Sequence, residues 1–235
     1  MPRAAWASLR AGTTSVVRTE SRGYLPALRF SALTRLYDPV VRATTREGRF
    51  KELLVEQAAV APGQRALDLG CGTGTLAIQV KRARPDAEVL GLDADPEMLA
   101  QAEAKAERAG VELELTEGFS TELPYADRSF DQVLSTLFFH HLDPEPKRRT
   151  AGQIARVLRP GGELHVADWG KPSDPAMSVA FLGIRLLDGF ENTADNVRGH
   201  LPRIFEEAGL EGAEETNRLR TPLGTLSLYA ARKPG

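Results

Sequence analysis

Short apolar runs alternate with amphipathic stretches along the chain from residue 64 onward. Each apolar run has the length of a strand, and the stretches between the runs have the length and apolar spacing of helices. The fourth run is longer and predicts a central strand that is covered on both faces. The predicted strands cover residues 64–70, 87–93, 111–118, 130–139 and 163–169. Strands that alternate with helices in this way predict a mostly parallel sheet with right-handed crossovers.

Two of the intervening helices carry signals at their ends. The helix after the second strand has Asp95 as its predicted N-cap, Pro96 at its first position and Gly110 just past its end. The helix before the fifth strand is predicted to be capped by Asp143 and Pro144, and the sequence Arg-Pro-Gly-Gly is predicted to end it. These signals define where both helices begin and end.

The C-terminal region breaks this alternation. Residues 212–233 contain two strand candidates with no helix between them, joined around Thr221–Gly224. Adjacent strands with so short a connection pair antiparallel, as a hairpin. The predicted fold class is therefore α/β, with a mostly parallel seven-stranded sheet that ends in an antiparallel hairpin and has helices on both faces.

Two segments outside the strand pattern predict further helices. Residues 23–63 contain two stretches with helical apolar spacing and are predicted to form an N-terminal helical cap beside the first strand. Residues 64–235 form the predicted main domain, with a helical insertion at 175–209 that includes a second helix beginning at Pro202. Inserted helices above the carboxyl ends of a parallel sheet are well placed to cover a ligand. The apolar stripe of the insertion consists of Met177, Phe181, Ile184 and Leu187, with Phe190 as a further candidate for the wall of an apolar pocket.

Residues 1–22 carry several arginines and a single acid, Glu20. They are predicted to form a disordered basic leader, because their apolar residues make no clear amphipathic face. The alternative is an organelle-targeting leader, which has a similar composition.

The composition is that of an ordinary globular protein. Of the 235 residues, 42% are hydrophobic and 26% are charged, and the formal net charge is -2 at pH 7. This charge gives no electrostatic reason to expect nucleic acid as a partner, and no apolar run approaches the roughly 20 residues that cross a bilayer. The single cysteine, Cys71, excludes an internal disulfide framework and favours a cytoplasmic protein. The histidines lack the spacing of a known metal motif, so no metal site is predicted.

The sequence Leu-Asp-Leu-Gly-Cys-Gly-Thr-Gly, Leu67–Gly74, follows the first predicted strand. Ligands of open parallel sheets bind beyond the carboxyl ends of the strands, where this loop lies. Its glycines allow positive φ and let the backbone approach a ligand closely, and the helix that follows favours an anion such as a carboxylate. Asp93 ends the second strand, where a carboxylate can accept both hydroxyls of a ribose.

A dinucleotide site is the alternative for this loop. Its fingerprint is G-x-G-x-x-G/A, whereas here the third glycine falls one position early and Thr75 stands where that pattern has glycine or alanine. Asp68, which precedes the glycines, would oppose a pyrophosphate but suits a ligand that carries an ammonium or sulfonium group. The loop therefore favours such a cationic ligand.

These motifs closely resemble those of the class I S-adenosylmethionine-dependent methyltransferases, in particular the ubiquinone/menaquinone-biosynthesis methyltransferases. The matching sequences are LDLGCGTG, GLDADPEML, ELPYADRSFDQVLS, FFHHL and RVLRPGGELHVADW. The resemblance is strong over residues 64–170, moderate over 24–60 and loose in the C-terminal region. It implies a Rossmann-like fold, S-adenosylmethionine as the cofactor and S-adenosylhomocysteine as the product.

The resemblance also implies roles for individual residues in cofactor binding. Asp68 is expected near the ammonium group, and Asp93 at the ribose hydroxyls. Members of the family commonly carry an aspartate after the third strand near the adenine; Phe119 stands there instead and is expected to stack on the ring, with Ser120 taking a hydrogen bond. The other implied contacts are Gly70, Cys71, Gly72 and Gly74 around the methionine part, Ala94 and Met98 beside the adenosine, Thr136 and Leu137 at the sulfonium end, and Tyr37 over the cofactor.

Methyl transfer from a sulfonium is an in-line displacement, so the acceptor must approach the methyl carbon opposite the sulfur. His140 and His141, which follow the fourth strand, are the candidate catalytic bases, because histidine can take a proton from a phenol or enol near neutral pH. The alternative is that one of the pair packs against or caps the following turn, since this pair is a general feature of the family.

The predicted function is transfer of a methyl group from S-adenosylmethionine to a small molecule, which is lipophilic if the apolar stripe lines the pocket. A methyltransferase for protein or RNA is the first alternative, but the sequence shows neither a basic face nor an appended recognition domain. A noncatalytic partner protein that binds S-adenosylmethionine is the second alternative.

Overall fold

One mixed sheet carries helices on both faces. The computed structural model describes residues 16–18 and 47–235. The strands are β1 (Val16–Arg18), β2 (Arg65–Leu69), β3 (Glu88–Asp93), β4 (Glu114–Glu117), β5 (Phe130–Thr136), β6 (Leu158–Trp169), β7 (Glu211–Thr221) and β8 (Gly224–Arg232). Their order in the sheet is β1-β4-β3-β2-β5-β6-β8-β7.

The strand directions confirm the predicted topology. Strands β1 to β6 pair parallel, β8 is antiparallel to β6, and β7 is antiparallel to β8. Strands β2 to β8 are the predicted seven, and β1 adds a short eighth strand at the edge beside β4. The carboxyl ends of β2 to β6 therefore meet at one edge of the sheet, where a ligand was predicted.

Eight α-helices are described besides a short 3₁₀ turn at Phe139–His141. The helices are α1 (Glu47–Ala58), α2 (Thr75–Ala83), α3 (Pro96–Ala109), α4 (Pro144–Val157), α5 (Pro175–Ala180), α6 (Leu182–Asp188), α7 (Ala194–Arg198) and α8 (Leu201–Glu207). None of these helices combines the length and apolar character needed to cross a bilayer. Residues 1–15 and 19–46 lie outside the described residues, so the first helix of the N-terminal cap stays a prediction. Of the leader predicted as disordered, only Val16–Arg18 is described, and it forms strand β1; for the rest of the leader the prediction stands untested.

The ends of α3 follow from its sequence, whereas the start of α4 corrects the prediction. Asp95 accepts the N–H groups of Glu97 and Met98, and Gly110 has a left-handed backbone just past the end of α3. Asp143 stands before α4, but its side chain makes no capping hydrogen bond. The sequence Arg-Pro-Gly-Gly was predicted to end α4, and the helix ends at Val157, two residues before Arg159. β6 begins directly at Leu158 and includes this sequence, with a pairing irregularity against β5.

The insertion is more broken than its apolar spacing predicted. The stripe from Met177 onward falls on two short helices, α5 and α6, which meet at Phe181. Phe181 is 2% exposed and its ring lies 5.1 Å from that of Trp169, so the residue at which the two helices meet is packed against the end of β6. The predicted second helix is present as α8, which contains Pro202 in its first turn, and α7 precedes it. The side chain of Leu187 lies outside the described part of the structure.

Two apolar clusters sandwich the sheet. One joins α1, α2 and α3 to one face, and includes Phe50, Leu76 and Leu99. The other joins α4 and α8 to the opposite face, and includes Phe139 and Ile154. Both faces of the central strands are therefore covered, as the continuous apolar run of β5 predicted.

Candidate active site

The glycine loop between β2 and α2 is fixed against the end of β3. The backbone N–H groups of Gly70 and Cys71 donate to the carbonyl oxygen of Leu92 at 2.8 and 3.0 Å. Gly70, Gly72 and Gly74 have φ values of 68°, 52° and 71°, a left-handed conformation that other residues rarely adopt. The loop therefore holds a defined shape at the carboxyl edge of the sheet.

The surroundings of these glycines differ. A Cβ on Gly70 would lie 2.3 Å from Phe138 Cδ2, and one on Gly74 would lie 2.9 Å from the Cβ of Ala102. A Cβ on Gly72 would meet no described atom within 4 Å. Two of the glycines are therefore needed for packing, whereas Gly72 presents bare backbone to open space that a ligand can approach.

Asp68 lies near the end of β2 and is 2% exposed. Its Oδ2 accepts the N–H of Ala77 in α2 at 3.0 Å, whereas its buried Oδ1 has no hydrogen-bond partner among the described residues. Burial raises the pKa of Asp68 from 3.8 to about 7, although the positive charge of Lys51 in α1 lowers it. A buried carboxylate oxygen that accepts no hydrogen bond from the described residues fits a cationic group of a ligand, such as the predicted ammonium.

Asp93 ends β3 and joins the glycine loop to the turn before α3. Its Oδ2 accepts the N–H of Gly72 at 2.8 Å, and its Oδ1 accepts the N–H of Asp95 at 3.0 Å. Burial raises the pKa of Asp93, and these hydrogen bonds lower it. A carboxylate has about four acceptor positions, so capacity remains for a ligand hydroxyl. Ala94 and Met98 follow it, both partly exposed.

The thiol of Cys71 fills space beneath the loop. A Cβ built on Gly91 of β3 would lie 2.9 Å from Cys71 Sγ, so the thiol occupies the volume that a side chain at 91 would need. Burial raises the pKa of Cys71 well above its usual value, as do the nearby carboxylates of Asp93 and Asp68. This cysteine is therefore an unreactive packing residue of the loop.

Lys105 of α3 is a loop contact that the sequence patterns did not indicate. Its Nζ donates to the hydroxyls of Thr73 and Thr75, both at 2.8 Å. It thereby ties the start of α2 to α3. Because Lys105 falls on an amphipathic helix rich in charge, no local signal distinguishes it from a solvated lysine.

The residues after β4 and β5 lie at the same edge of the sheet. Phe119 is half-buried, and the hydroxyl of Ser120 makes a hydrogen bond of 2.8 Å with Thr150 of α4. Thr136 ends β5, and Leu137 has a φ of 50° while its N–H donates to Ala167 at 2.8 Å. A leucine with positive φ is a strained residue, and such strain clusters at functional sites.

His140 is held by Asp168 at the end of β6. The Nδ1 of His140 lies 2.7 Å from Asp168 Oδ1, and Asp168 also accepts the backbone N–H groups of Phe138, His140 and Trp169. Burial lowers the pKa of His140, as does the neighbouring His141. Burial alone would raise the pKa of Asp168, but His140 holds it below its usual value. The pair is therefore a neutral imidazole whose Nδ1–H donates to a carboxylate.

His141 is less buried than His140 and contacts a carboxylate of the insertion. The side chain of His141 is 32% exposed, against 4% for His140, and the two ring centroids lie 3.9 Å apart. The Nδ1 of His141 lies 3.3 Å from Asp188 Oδ1, at the end of α6. Asp188 has a lowered pKa: burial would raise it, but its hydrogen bond and charge interaction with His141 outweigh that effect.

A buried lysine anchors the second half of the insertion to the body. Lys147 of α4 is fully buried and donates to the carbonyl oxygen of Asn192 at 2.8 Å and to Asn196 Oδ1 at 3.0 Å. Asn192 in turn donates to the carbonyl oxygen of His141 at 3.2 Å, and Asn196 to that of Trp169 at 2.9 Å. Burial lowers the pKa of Lys147. The insertion is therefore fixed to the histidine turn by polar contacts.

The structure brings nearly all predicted site residues to one edge of the sheet. Phe138, whose ring packs on Gly70, connects the glycine loop to the histidine turn. Tyr37 lies outside the described residues, so its predicted place over the cofactor stays a prediction. Asp168 and Asp188 were not predicted. Asp168 could have been found because it lies near the carboxyl end of a parallel strand, as Asp93 does, whereas Asp188 lies in a helix with no such signal.

Sequence comparison with known proteins identifies the family. Residues 66–162 match the family model described as a methyltransferase domain. A demethylmenaquinone methyltransferase from Thermus thermophilus is 35% identical over 154 residues, which are 65% of this chain and 69% of the relative.

Solved structures share the fold. A SAM-dependent methyltransferase from Aquifex aeolicus superposes with a TM-score of 0.62 at 20% identity, covering 86% of this chain and 97% of the other. The [4+2]-cyclase SpnF superposes equally well, with a TM-score of 0.62 at 21% identity, covering 79% of this chain and 81% of the other. At such identities the likeness shows the fold alone, and the family assignment rests on the sequence matches. The chain belongs to the class I S-adenosylmethionine-dependent methyltransferases, similar to those of ubiquinone and menaquinone biosynthesis.

Proposed function

We propose that this methyltransferase methylates a small lipophilic acceptor of the hydroquinone or phenol class. The methyl donor that the family implies, S-adenosylmethionine, supplies an electrophilic methyl group on a sulfonium. The observation that supports its placement here is the buried Asp68 carboxylate, whose Oδ1 has no hydrogen-bond partner among the described residues, in the same loop as the bare backbone of Gly72. Asp68 would bind the ammonium group, and the N-terminal turn of α2 would bind the carboxylate of the same ligand.

Asp93 and the segments after β4 and β5 would hold the rest of the cofactor. Asp93 would accept the ribose hydroxyls, with Ala94 and Met98 beside the adenosine. Phe119 would stack on the adenine, and Ser120, which already bonds to Thr150, would offer its remaining hydrogen-bonding capacity. The other residues expected to contact the cofactor are Gly70, Cys71, Gly74, Thr136, Leu137 and Tyr37.

The acceptor side is formed by the histidine turn and the insertion. His141 is the more exposed histidine, so we assign to it the contact with the acceptor and the uptake of the acceptor's proton. His140, buried between Asp168 and His141, is a positioning residue that fixes the turn. Apolar side chains on the insertion, among them Leu182, Leu186 and Phe190, are exposed and suit a lipophilic acceptor.

The proposed acceptor class draws on the relative from Thermus thermophilus, whose name gives demethylmenaquinone as its substrate. The formal net charge of -2 gives no support to an RNA acceptor, which a basic face would attract. A polar small-molecule acceptor would also leave the exposed apolar side chains of the insertion without a role.

The first experiment tests donor and acceptor separately. Calorimetry with S-adenosylhomocysteine is expected to show one site per chain, and protein with methyl-labelled S-adenosylmethionine is expected to transfer label to a short-chain naphthohydroquinone but not to RNA or a protein extract. Binding without transfer to any pool would identify a noncatalytic binder, and label in RNA or protein would overturn the small-molecule assignment.

Substitution of each histidine tests the acceptor side. His141→Ala is expected to lower kcat by about 10²-fold, because general-base contributions are typically of this size or larger, and to leave the affinity for S-adenosylhomocysteine unchanged. His200→Ala, which removes an exposed histidine of the insertion, serves as the control. Full activity of both His140→Ala and His141→Ala would remove the assignment of a base.

A further inference from the structure

Three potential metal ligands converge at the acceptor side of the site. They are His140, His141 and Asp188, and one ligand atom from each lies within 4.8 Å of the others. His141 Nδ1 lies 3.3 Å from Asp188 Oδ1, and His140 Nε2 lies 3.7 Å from Asp188 Oδ2. The histidines come from the turn after β5 and the aspartate from the end of α6, so the fold, not sequence spacing, assembles the group.

The hydrogen bonding of His140 points to a cation between these groups. Asp168 Oδ1 lies 2.7 Å from Nδ1 of His140, so this nitrogen carries the proton that is donated to the carboxylate. The lone pair of Nε2 then faces the carboxylate of Asp188, at a separation too long for a hydrogen bond. Two electron-rich groups that face each other in a largely buried position are stabilised by a positive charge between them.

We propose that His140, His141 and Asp188 bind one divalent transition-metal ion of the class that prefers imidazole and carboxylate ligands, such as Zn²⁺ or Co²⁺. Ligand atoms about 2.0–2.2 Å from a tetrahedral Zn²⁺ lie roughly 3.3–3.6 Å from one another. The two nitrogen–oxygen separations, made to different oxygens of the Asp188 carboxylate, are close to this value, and one ligand atom from each of the three residues lies within 4.8 Å of the others. Asp168 serves as the outer carboxylate that orients a metal-bound histidine. The fourth ligand position is left for water.

Metal binding itself does not depend on the proposed function, but its consequence for turnover does. The ion takes the same imidazole lone pairs that proton uptake by His141 requires. A bound ion therefore inhibits methyl transfer, and the ion-free enzyme is the active form.

The experiment uses the full chain without a polyhistidine tag, with Zn²⁺ in calorimetry and Co²⁺ in visible absorption. One Zn²⁺ per chain is expected, together with a Co²⁺ spectrum that shows nitrogen and oxygen ligands. His141→Ala and Asp188→Asn are each expected to weaken binding by at least about 10–100-fold, since even loss of an outer partner has an effect of this size. His200→Ala and Glu191→Gln, at exposed positions of the insertion, are the matched controls and should leave binding unchanged.

The affinity for S-adenosylhomocysteine is measured on the same variants and is expected to be that of the wild type. Absence of Zn²⁺ binding to the wild type, or equal binding by the wild type, His141→Ala and Asp188→Asn, would overturn the metal site. Neither result would affect the methyltransferase proposal, which the label-transfer assay tests on its own.

Discussion

The glycine loop and the helical insertion lie at the same edge of the sheet but are held in place by different means. The loop of Leu67–Gly74 is fixed by its backbone N–H groups, which donate to the carbonyl oxygen of Leu92 and to the side-chain carboxylate of Asp93 in the neighbouring strand. The insertion is fixed by side chains far apart in sequence, through Lys147 with Asn192 and Asn196.

This difference predicts how each region responds to substitution. A loop whose shape depends on backbone tolerates few substitutions, because each glycine has a conformational or steric reason. The insertion is also held by apolar packing, of Phe181 on Trp169 and of α8 on the sheet, but its exposed apolar side chains can change without loosening these contacts. Cofactor binding is therefore expected to be sensitive to single changes, and acceptor binding to change gradually.

The largest expected effect is on the cofactor side. Asp68→Asn removes the negative charge at the buried, unpartnered Oδ1 and is expected to weaken S-adenosylhomocysteine binding by on the order of 10²–10³-fold, as removal of one partner of a buried charged pair does. Calorimetry measures the affinity. Asp86→Asn, at an exposed position, is the control, and an unchanged affinity in Asp68→Asn would contradict the assigned contact.

A matched pair of glycine substitutions comes next. Gly70→Ala and Gly72→Ala both place alanine at positive φ, at a cost of about 1 kcal/mol, but only at Gly70 does the new Cβ meet the ring of Phe138. Gly70→Ala is therefore expected to lower the free energy of unfolding by about 2–4 kcal/mol, and Gly72→Ala by about 1 kcal/mol. Urea denaturation measures both.

The Gly70→Ala and Gly72→Ala variants also test where the ligand binds. Gly72→Ala is expected to weaken S-adenosylhomocysteine binding more than its small stability loss explains, because the methyl group enters the open space beside the loop. Equal stability losses in the two variants would show that the contact of the new Cβ at position 70 with Phe138 does not lower the free energy of unfolding.

A smaller effect is expected from pH. The pKa of Asp68 is raised to about 7, so acidification from pH 8 to pH 6 protonates it and is expected to weaken S-adenosylhomocysteine binding by about tenfold. Asp68→Asn should abolish this slope. Because folding raises this pKa, the carboxyl's contribution to stability is full at low pH and is lost as the pH rises through 7, so Asp68→Asn should also make stability less dependent on pH in this range.

The smallest effect is expected from a substitution on the surface of the insertion. Leu186 is 68% exposed, so Leu186→Ser is expected to change the free energy of unfolding by less than about 0.5 kcal/mol. If the acceptor is lipophilic, its KM should rise by a few-fold, while the KM for S-adenosylmethionine stays the same. An unchanged KM for a naphthohydroquinone would place the acceptor away from this face.

The α/β core was predictable because its signals are local. α3 shows this best: Asp95, Pro96 and Gly110 each act within one turn of the helix. The glycine loop could be placed for the same reason, since its strand, its glycines and the helix after it are adjacent in sequence. Asp143 failed as a cap, because the residue type permits capping without requiring it.

The acceptor side could be predicted only in part, because tertiary contacts form it. Apolar spacing indicated helices at 175–209 but not their division at Phe181, whose ring is buried against Trp169. The histidine pair was visible in the sequence, but its partners Asp168 and Asp188 are brought there by the fold of β6 and α6. No local sequence pattern predicts which residues far apart in sequence come into contact.

The thiol of Cys71 above Gly91 has a consequence for how this family diverges. The side chain at position 71 occupies the space that a side chain at position 91 would need, so a larger residue at one position requires a smaller one at the other. Across related chains the residues at positions 71 and 91 are expected to vary together. Glycine or alanine is expected at position 71 wherever position 91 carries a larger side chain.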